Sequence, residues 1–327
     1  MRIAPPLTRF LALSLMAMSC ACDAAPSLPG AIYFETSDPG INRLDLSTGR
    51  VTTVLARSSD AYTGSAWDIS WDGRMGVTYD EPSAFHADEG VRYIVFDTST
   101  GVAIREVIYH PNSGETDGGF PNWSPNGKLL ALRATFDDGL VILDMGGNIL
   151  RDIHGEAGYL DPITWESGGS ILYAKDGWLR RISADFRRSD SVRQLPTKKW
   201  SGYIAASPDG RKIALPVGNH IWMMNADGSD YHAITTSDRA EKTPVFSPDG
   251  KWLAIGCNPG AAGVVWESAG DTYAVSGTTF HLCIIPADGQ VYDVSPGADS
   301  RVIHPQPRGE STTSGVGMTA GTFVWRP

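Results

Sequence analysis

TPVFSPDGKWLAIGC, residues 243–257, is the stretch whose reading decides the fold. Three residues in it do local work. Pro248 presets φ for the first position of a turn, Asp249 caps that turn, and Gly250 accepts a positive φ. Apolar residues flank the turn on both sides, so the segment reads as two strands joined by a tight hairpin.

The pattern recurs. FPNWSPNGKLLALRA begins at Phe120 and YIAASPDGRKIALPV at Tyr203, with looser copies in WDISWDGRMGVTYD from Trp67 and PITWESGGSILYAKD from Pro162. The turn glycines Gly127, Gly169, Gly210 and Gly250 recur at intervals of about forty residues, the period of a four-stranded propeller blade. Each hairpin is followed by an apolar third strand, such as GLVILDMGG or NHIWMMNADG. SDYHAIT and QVYDVS are then expected as fourth strands. Trp71, Trp123, Trp165 and Trp325 are expected to mark inner strands.

The segments TPVFSPDGKWLAIG and NHIWMMNADGSDYHAIT resemble the repeat of the TolB-like, or WD40-like, β-propeller family. The resemblance spans about residues 31–327, strongest over 120–155 and 203–250. It implies an all-β fold and a place in the bacterial envelope. TolB itself carries a smaller N-terminal domain, for which the short interval before the first strand leaves no room, so a propeller without it is expected. The chain ends in GTFVWRP, a first strand without a blade, and begins with AIYFETSDPGINRLDLSTGRVTTVL, three strands without a first. The C-terminal strand is therefore expected to complete the N-terminal blade, giving a six-bladed β-propeller of four-stranded antiparallel blades. That closure removes an open sheet edge.

The leader MRIAPPLTRFLALSLMAMSCACDAAPS joins a positive start to an apolar run of about ten residues and then small residues, the pattern of a secretory signal. MAMSC and MSCAC resemble a bacterial lipobox, so Cys20 and Cys22 are the lipidation candidates. The expected organisation is a signal over 1–22, a short linker over 23–30 and the propeller over 31–327. The expected location is the periplasm, free or anchored as a lipoprotein. Export implies an oxidising compartment. Cys257 and Cys283, expected on neighbouring strands, are candidates for a disulfide, with two separate buried thiols as the alternative.

The chain has 37 acidic against 27 basic side chains and a net charge of −10. Nucleic acid is therefore not an expected partner. Beyond the leader no eighteen-residue apolar run occurs, so the only membrane contact expected is the lipid anchor. HExxH, Gly-x-Ser-x-Gly and EF-hand spacings do not occur in the 327 residues. Peptidases that use this kind of propeller carry a separate hydrolase domain, and none is expected beside a propeller over 31–327. No metal and no cofactor are expected.

Strand order places first-to-second and third-to-fourth turns on one face of the ring, and these are short. The long connections, 81–90, 109–119, 258–279 and 295–320, share the other face. Long loops on a rigid scaffold are where binding usually resides. Phe85, His86, Trp266 and Tyr273 are the candidate contacts there, as aromatics suit binding surfaces. Residues opening the inner strands line the channel mouth, giving Asp68, Asp117, Asp161, Tyr203, Lys242 and His304 as ligand-binding candidates. The function expected is a non-catalytic, monomeric binding or scaffold module that takes a protein or peptide partner in the envelope. The alternative is an envelope enzyme, a lyase or hydrolase, acting on a carbohydrate or small molecule at the central channel.

Overall fold

The turn chemistry read from SPDG is built in full. In four blades the serine hydroxyl donates to the Asp or Asn side chain two residues on (Ser70–Asp72, Ser124–Asn126, Ser207–Asp209 and Ser247–Asp249, 2.6–2.8 Å). The same serine oxygen accepts the backbone N–H five residues ahead at 2.9–3.0 Å. Gly73, Gly127, Gly210 and Gly250 hold φ between 66° and 74°, which only glycine adopts without strain. Each serine thus closes the hairpin from both sides, which is why so short a motif starts a blade.

In this computed structural model the described residues are 27–35, 40–56, 67–80, 90–110, 119–133, 139–157, 162–196, 203–257, 265–268, 271–274, 279–308, 317–319 and 323–327. They form no helix, and none among them is long and apolar enough to cross a membrane. Six four-stranded antiparallel blades follow one another around a ring. Blade one is Phe323–Arg326, Ala31–Glu35, Gly40–Asp45 and Val51–Ala56. Blades two to five start at the inner strands Trp67–Ile69, Pro121–Trp123, Ile163–Trp165 and Ala205–Ala206. Blade six starts at Lys242–Phe246. Each inner strand contacts the next, and Phe323–Arg326 touches both Lys242–Phe246 and Trp67–Ile69, so the ring is closed.

The C-terminal strand pairs with the N-terminal one as expected, with Ile32 opposite Trp325 and Phe34 opposite Phe323. Period-two alternation then divides blade one between its neighbours. Ile32, Phe34, Phe323 and Trp325 pack with Ala254, Leu282 and Ile284 of blade six. Ala31, Tyr33 and Val324 pack with Trp67, Ile69 and Phe96 of blade two. Four further apolar clusters fill the remaining gaps between blades. The core is thus a ring of wedges rather than one centre.

Two expectations are corrected. QVYDVS does not form the fourth strand of blade six. Tyr292–Asp293 instead pairs in parallel with Thr235–Thr236, between blades five and six. Blade five ends in a two-residue outer strand, His232–Ala233, so the chain beyond it is free to accept Tyr292 and Asp293. Tyr292 and Val294 drop into the apolar wedge there. The vacated edge of Thr279–Pro286 is taken by Gly317–Thr319 and by a bridge between Ile284 and Ile303. The second correction concerns Trp71, which lies in the turn after its inner strand, at the position proline holds in SPDG. Trp123, Trp165 and Trp325 lie in inner strands.

Candidate functional site: the central channel

The inner strands are short and end in turns, so the ring leaves a cavity of about 250 Å³ along its axis. One end is walled by residues of the first-to-second turns, Trp71, Pro208 and Pro248, with Pro327 in the equivalent place. The other end carries Phe120, Arg133, Tyr203 and Thr243, which precede inner strands or lie beside their starts. The Arg133 guanidinium sits over the Phe120 ring, 4.7 Å from its centroid, in a cation–π arrangement.

Asp68 lies in the wall and is already engaged. It accepts hydrogen bonds from the Trp123 N–H at 2.8 Å and from its neighbour Ile69 at 2.7 Å. The Arg326 Nη2 donates to it at 3.3 Å, while Arg326 Nε donates to the Ile69 carbonyl at 2.8 Å. Burial pushes the Asp68 carboxyl up and the Arg326 guanidinium down, and each charge resists the other's shift. One ion pair therefore ties the C-terminal strand to blade two, and Asp68 ties both to blade three. Its place in the wall is that of a latch.

The other candidates distribute as follows. Tyr203 is in the cavity wall, whereas Lys242 and His304 are not among the residues that form it. Lys242 lies 5.9 Å from the Phe280 centroid, and burial lowers its pKa. His304 stands on blade six with Nδ1 3.4 Å from Cys283 Sγ. Cys257 and Cys283 form a disulfide with Cα atoms 5.9 Å apart. Trp266 and Tyr273 are register partners in the hairpin of Val265–Ser268 and Asp271–Ala274. Asp117, Asp161, Phe85, His86, Cys20 and Cys22 lie outside the described residues.

Two groups escaped the sequence reading. Arg133 follows the apolar run LLAL at the end of the second strand, opposite Leu140, and only the folded ring brings it to the channel end. Glu241 is buried and accepts hydrogen bonds from Ser237, from Thr235 Oγ1 at 3.0 Å and from His220 Nδ1 at 2.8 Å. It locks the link between blades five and six. Its signal was faint, an acid among polar linker residues.

The class defined by this geometry is a six-bladed, four-stranded β-propeller with an aromatic and proline-lined axial cavity. Its fold is that of TolB: the crystal structure of TolB from Acinetobacter baumannii superposes with a TM-score of 0.60, at 17% identity, over 92% of this chain and 68% of that one. No protein-family model matches the chain. Among curated proteins, the "Uncharacterized peptidase YuxL" of Bacillus subtilis (strain 168) is 23% identical over 176 residues. That match takes in 50% of this chain and 24% of the relative, so the chain spans about a quarter of the relative's length.

Proposed function

We propose that the protein is an exported, monomeric binding module of the bacterial envelope, processed after a signal over 1–22, anchored through Cys20 or Cys22, and engaging an extended peptide segment of a protein partner at the channel. One observation carries this reading. The channel wall is aromatic, proline and aliphatic surface, and its part-buried carboxylate is consumed by Arg326 and two backbone N–H groups. Such a wall offers stacking and apolar contact, with the Arg133 and Tyr203 end supplying polar recognition. A general acid, base or nucleophile needs a poised, unengaged group, and Asp68 is not one. The likeness to TolB supports an envelope setting and a protein partner.

Pull-down from envelope extract with the intact protein and with Trp71→Glu tests the reading. A partner retained by the intact protein and lost by the variant is expected. A thermal-shift screen with sugars runs beside it. A large stabilisation by a sugar, with no partner captured, would replace the binding module with the carbohydrate-acting enzyme.

A further inference from the structure

On the flank of blade six that faces blade five, three metal-ligating side chains converge outside the channel, and a fourth, His281, lies on the same strand face. Cys257 ends the second strand and Cys283 lies in the third. The two sulfurs and a ring nitrogen of His304 all lie within 4.8 Å of one another. His304 is brought there by the Ile284–Ile303 bridge, since Ile303 N–H donates to Ile284 O at 2.9 Å and the return bond is 2.8 Å. His281 is the register partner of Cys257 and sits two residues before Cys283, on the same face of the strand. Its Nδ1 is buried with no hydrogen-bond partner among the described residues. An imidazole nitrogen so placed has nothing to do in the disulfide form, although a buried polar atom normally finds a partner.

We propose that reduction of the Cys257–Cys283 disulfide opens a zinc site, with Cys257 Sγ, Cys283 Sγ and His304 Nδ1 as ligands and His281 as the fourth donor. Two thiolates and two imidazoles suit a tetrahedral Zn²⁺ ion. Zn–S bonds of about 2.3 Å and Zn–N bonds of about 2.0–2.1 Å hold tetrahedral ligand atoms roughly 3.3–3.8 Å apart. The 3.4 Å between His304 Nδ1 and Cys283 Sγ already meets that spacing. The two sulfurs must separate, and a Cα distance of 5.9 Å leaves room for this by side-chain rotation.

The electron balance is closed by a dithiol reductant. Its two thiols become a disulfide as the Cys257–Cys283 bond takes up two electrons and two protons. Those protons leave the cysteines when Zn²⁺ binds the thiolates. Residues 258–282 lie between the two cysteines, so their base is clasped by a covalent bond in one redox state and by the ion in the other.

The test uses the full chain, oxidised or reduced with an excess of a phosphine under argon, then exposed to Zn²⁺ and desalted. Metal analysis should give about one zinc per reduced chain and under about a tenth of that per oxidised chain. Co²⁺ in place of Zn²⁺ should give the thiolate charge-transfer bands of a tetrahedral site with two sulfurs. His304→Gln, a half-buried position, should weaken Zn²⁺ binding at least about tenfold with an unchanged circular dichroism spectrum. Equal zinc in both redox states, no zinc in the reduced chain, Co²⁺ spectra without thiolate bands, or an unaffected His304→Gln would each overturn the proposal. Loss of the β-spectrum on reduction would overturn it too, because the site needs the folded strands.

Discussion

Trp325→Ala probes the closure of the ring. Trp325 is 1% exposed, and it packs in the wedge between blades one and six. Its indole Nε1 donates to the Pro29 carbonyl at 2.6 Å, so the last strand holds the entry of the first. Truncating a buried tryptophan to alanine costs about 3–5 kcal/mol. Leaving the Pro29 carbonyl without its donor adds roughly 1 kcal/mol. Against a net stability of about 5–15 kcal/mol, the sum is a large fraction. At roughly 2 °C per kcal/mol for a chain of this size, melting should fall by about 8–12 °C. Trp325→Phe keeps most of the burial and loses the hydrogen bond, so it should fall by about 2–4 °C. Trp222→Ala is the comparison. That ring stacks on Tyr231 at 4.6 Å and is partly exposed, and its loss should cost less than half as much. Melting followed by circular dichroism decides the matter. A Trp325→Ala shift below about 2 °C, or one no larger than that of Trp222→Ala, would refute the closure argument.

The remaining predictions rest on other contacts. At Gly30, φ is 69° and an added Cβ would lie 2.0 Å from the Arg326 carbonyl oxygen, whereas at Gly168 it would meet nothing within 4 Å. Gly30→Ala should therefore destabilise by more than about 2 kcal/mol in urea denaturation, and Gly168→Ala should be near neutral. Arg326→Met leaves Asp68 as an unpaired part-buried carboxylate and should cost about 3–5 kcal/mol, while Arg326→Met with Asp68→Asn should recover a substantial part of it in a double-mutant cycle. Without metal, Cys257→Ala with Cys283→Ala releases a constraint of 26 residues, worth about 3.5 kcal/mol in the chain-entropy account. The Asp45 carboxylate is held down to about 2 by hydrogen bonds from Ser47 and Thr48, with a contribution from the Arg43 charge. A carboxyl lowered on folding contributes stability above its unfolded pKa and loses it as pH falls. The stability gap between wild type and Asp45→Asn should thus be full above about pH 4 and close towards pH 2.

The parts legible in sequence are those whose physics is local. Ser247, Pro248, Asp249 and Gly250 form a turn by contacts among themselves and the next strand, so the motif announces the hairpin wherever it occurs. The closing strand was legible because GTFVWRP at one end supplied what AIYFE at the other lacked. Tyr292–Asp293 was not, because two residues pairing in parallel with Thr235–Thr236 carry no pattern of their own. The Asp68 latch was equally hidden. Its partner Arg326 is distant in sequence, and an aspartate at an inner-strand start looks the same whether it is free or paired. His304 reads in sequence as a residue opening an inner strand, and the Ile284–Ile303 bridge holds it beside the disulfide.

The central claim is that the axial channel holds a peptide segment of the partner. The most direct measurement is calorimetric titration of the peptide that cross-links to the protein in envelope extract, into wild type and into Trp71→Glu and Phe120→Glu, one at each end of the channel. The account predicts one peptide per chain for wild type and a loss of at least about tenfold in affinity for both variants, with melting temperatures unchanged. Undiminished binding by both variants would contradict it and place recognition outside the channel.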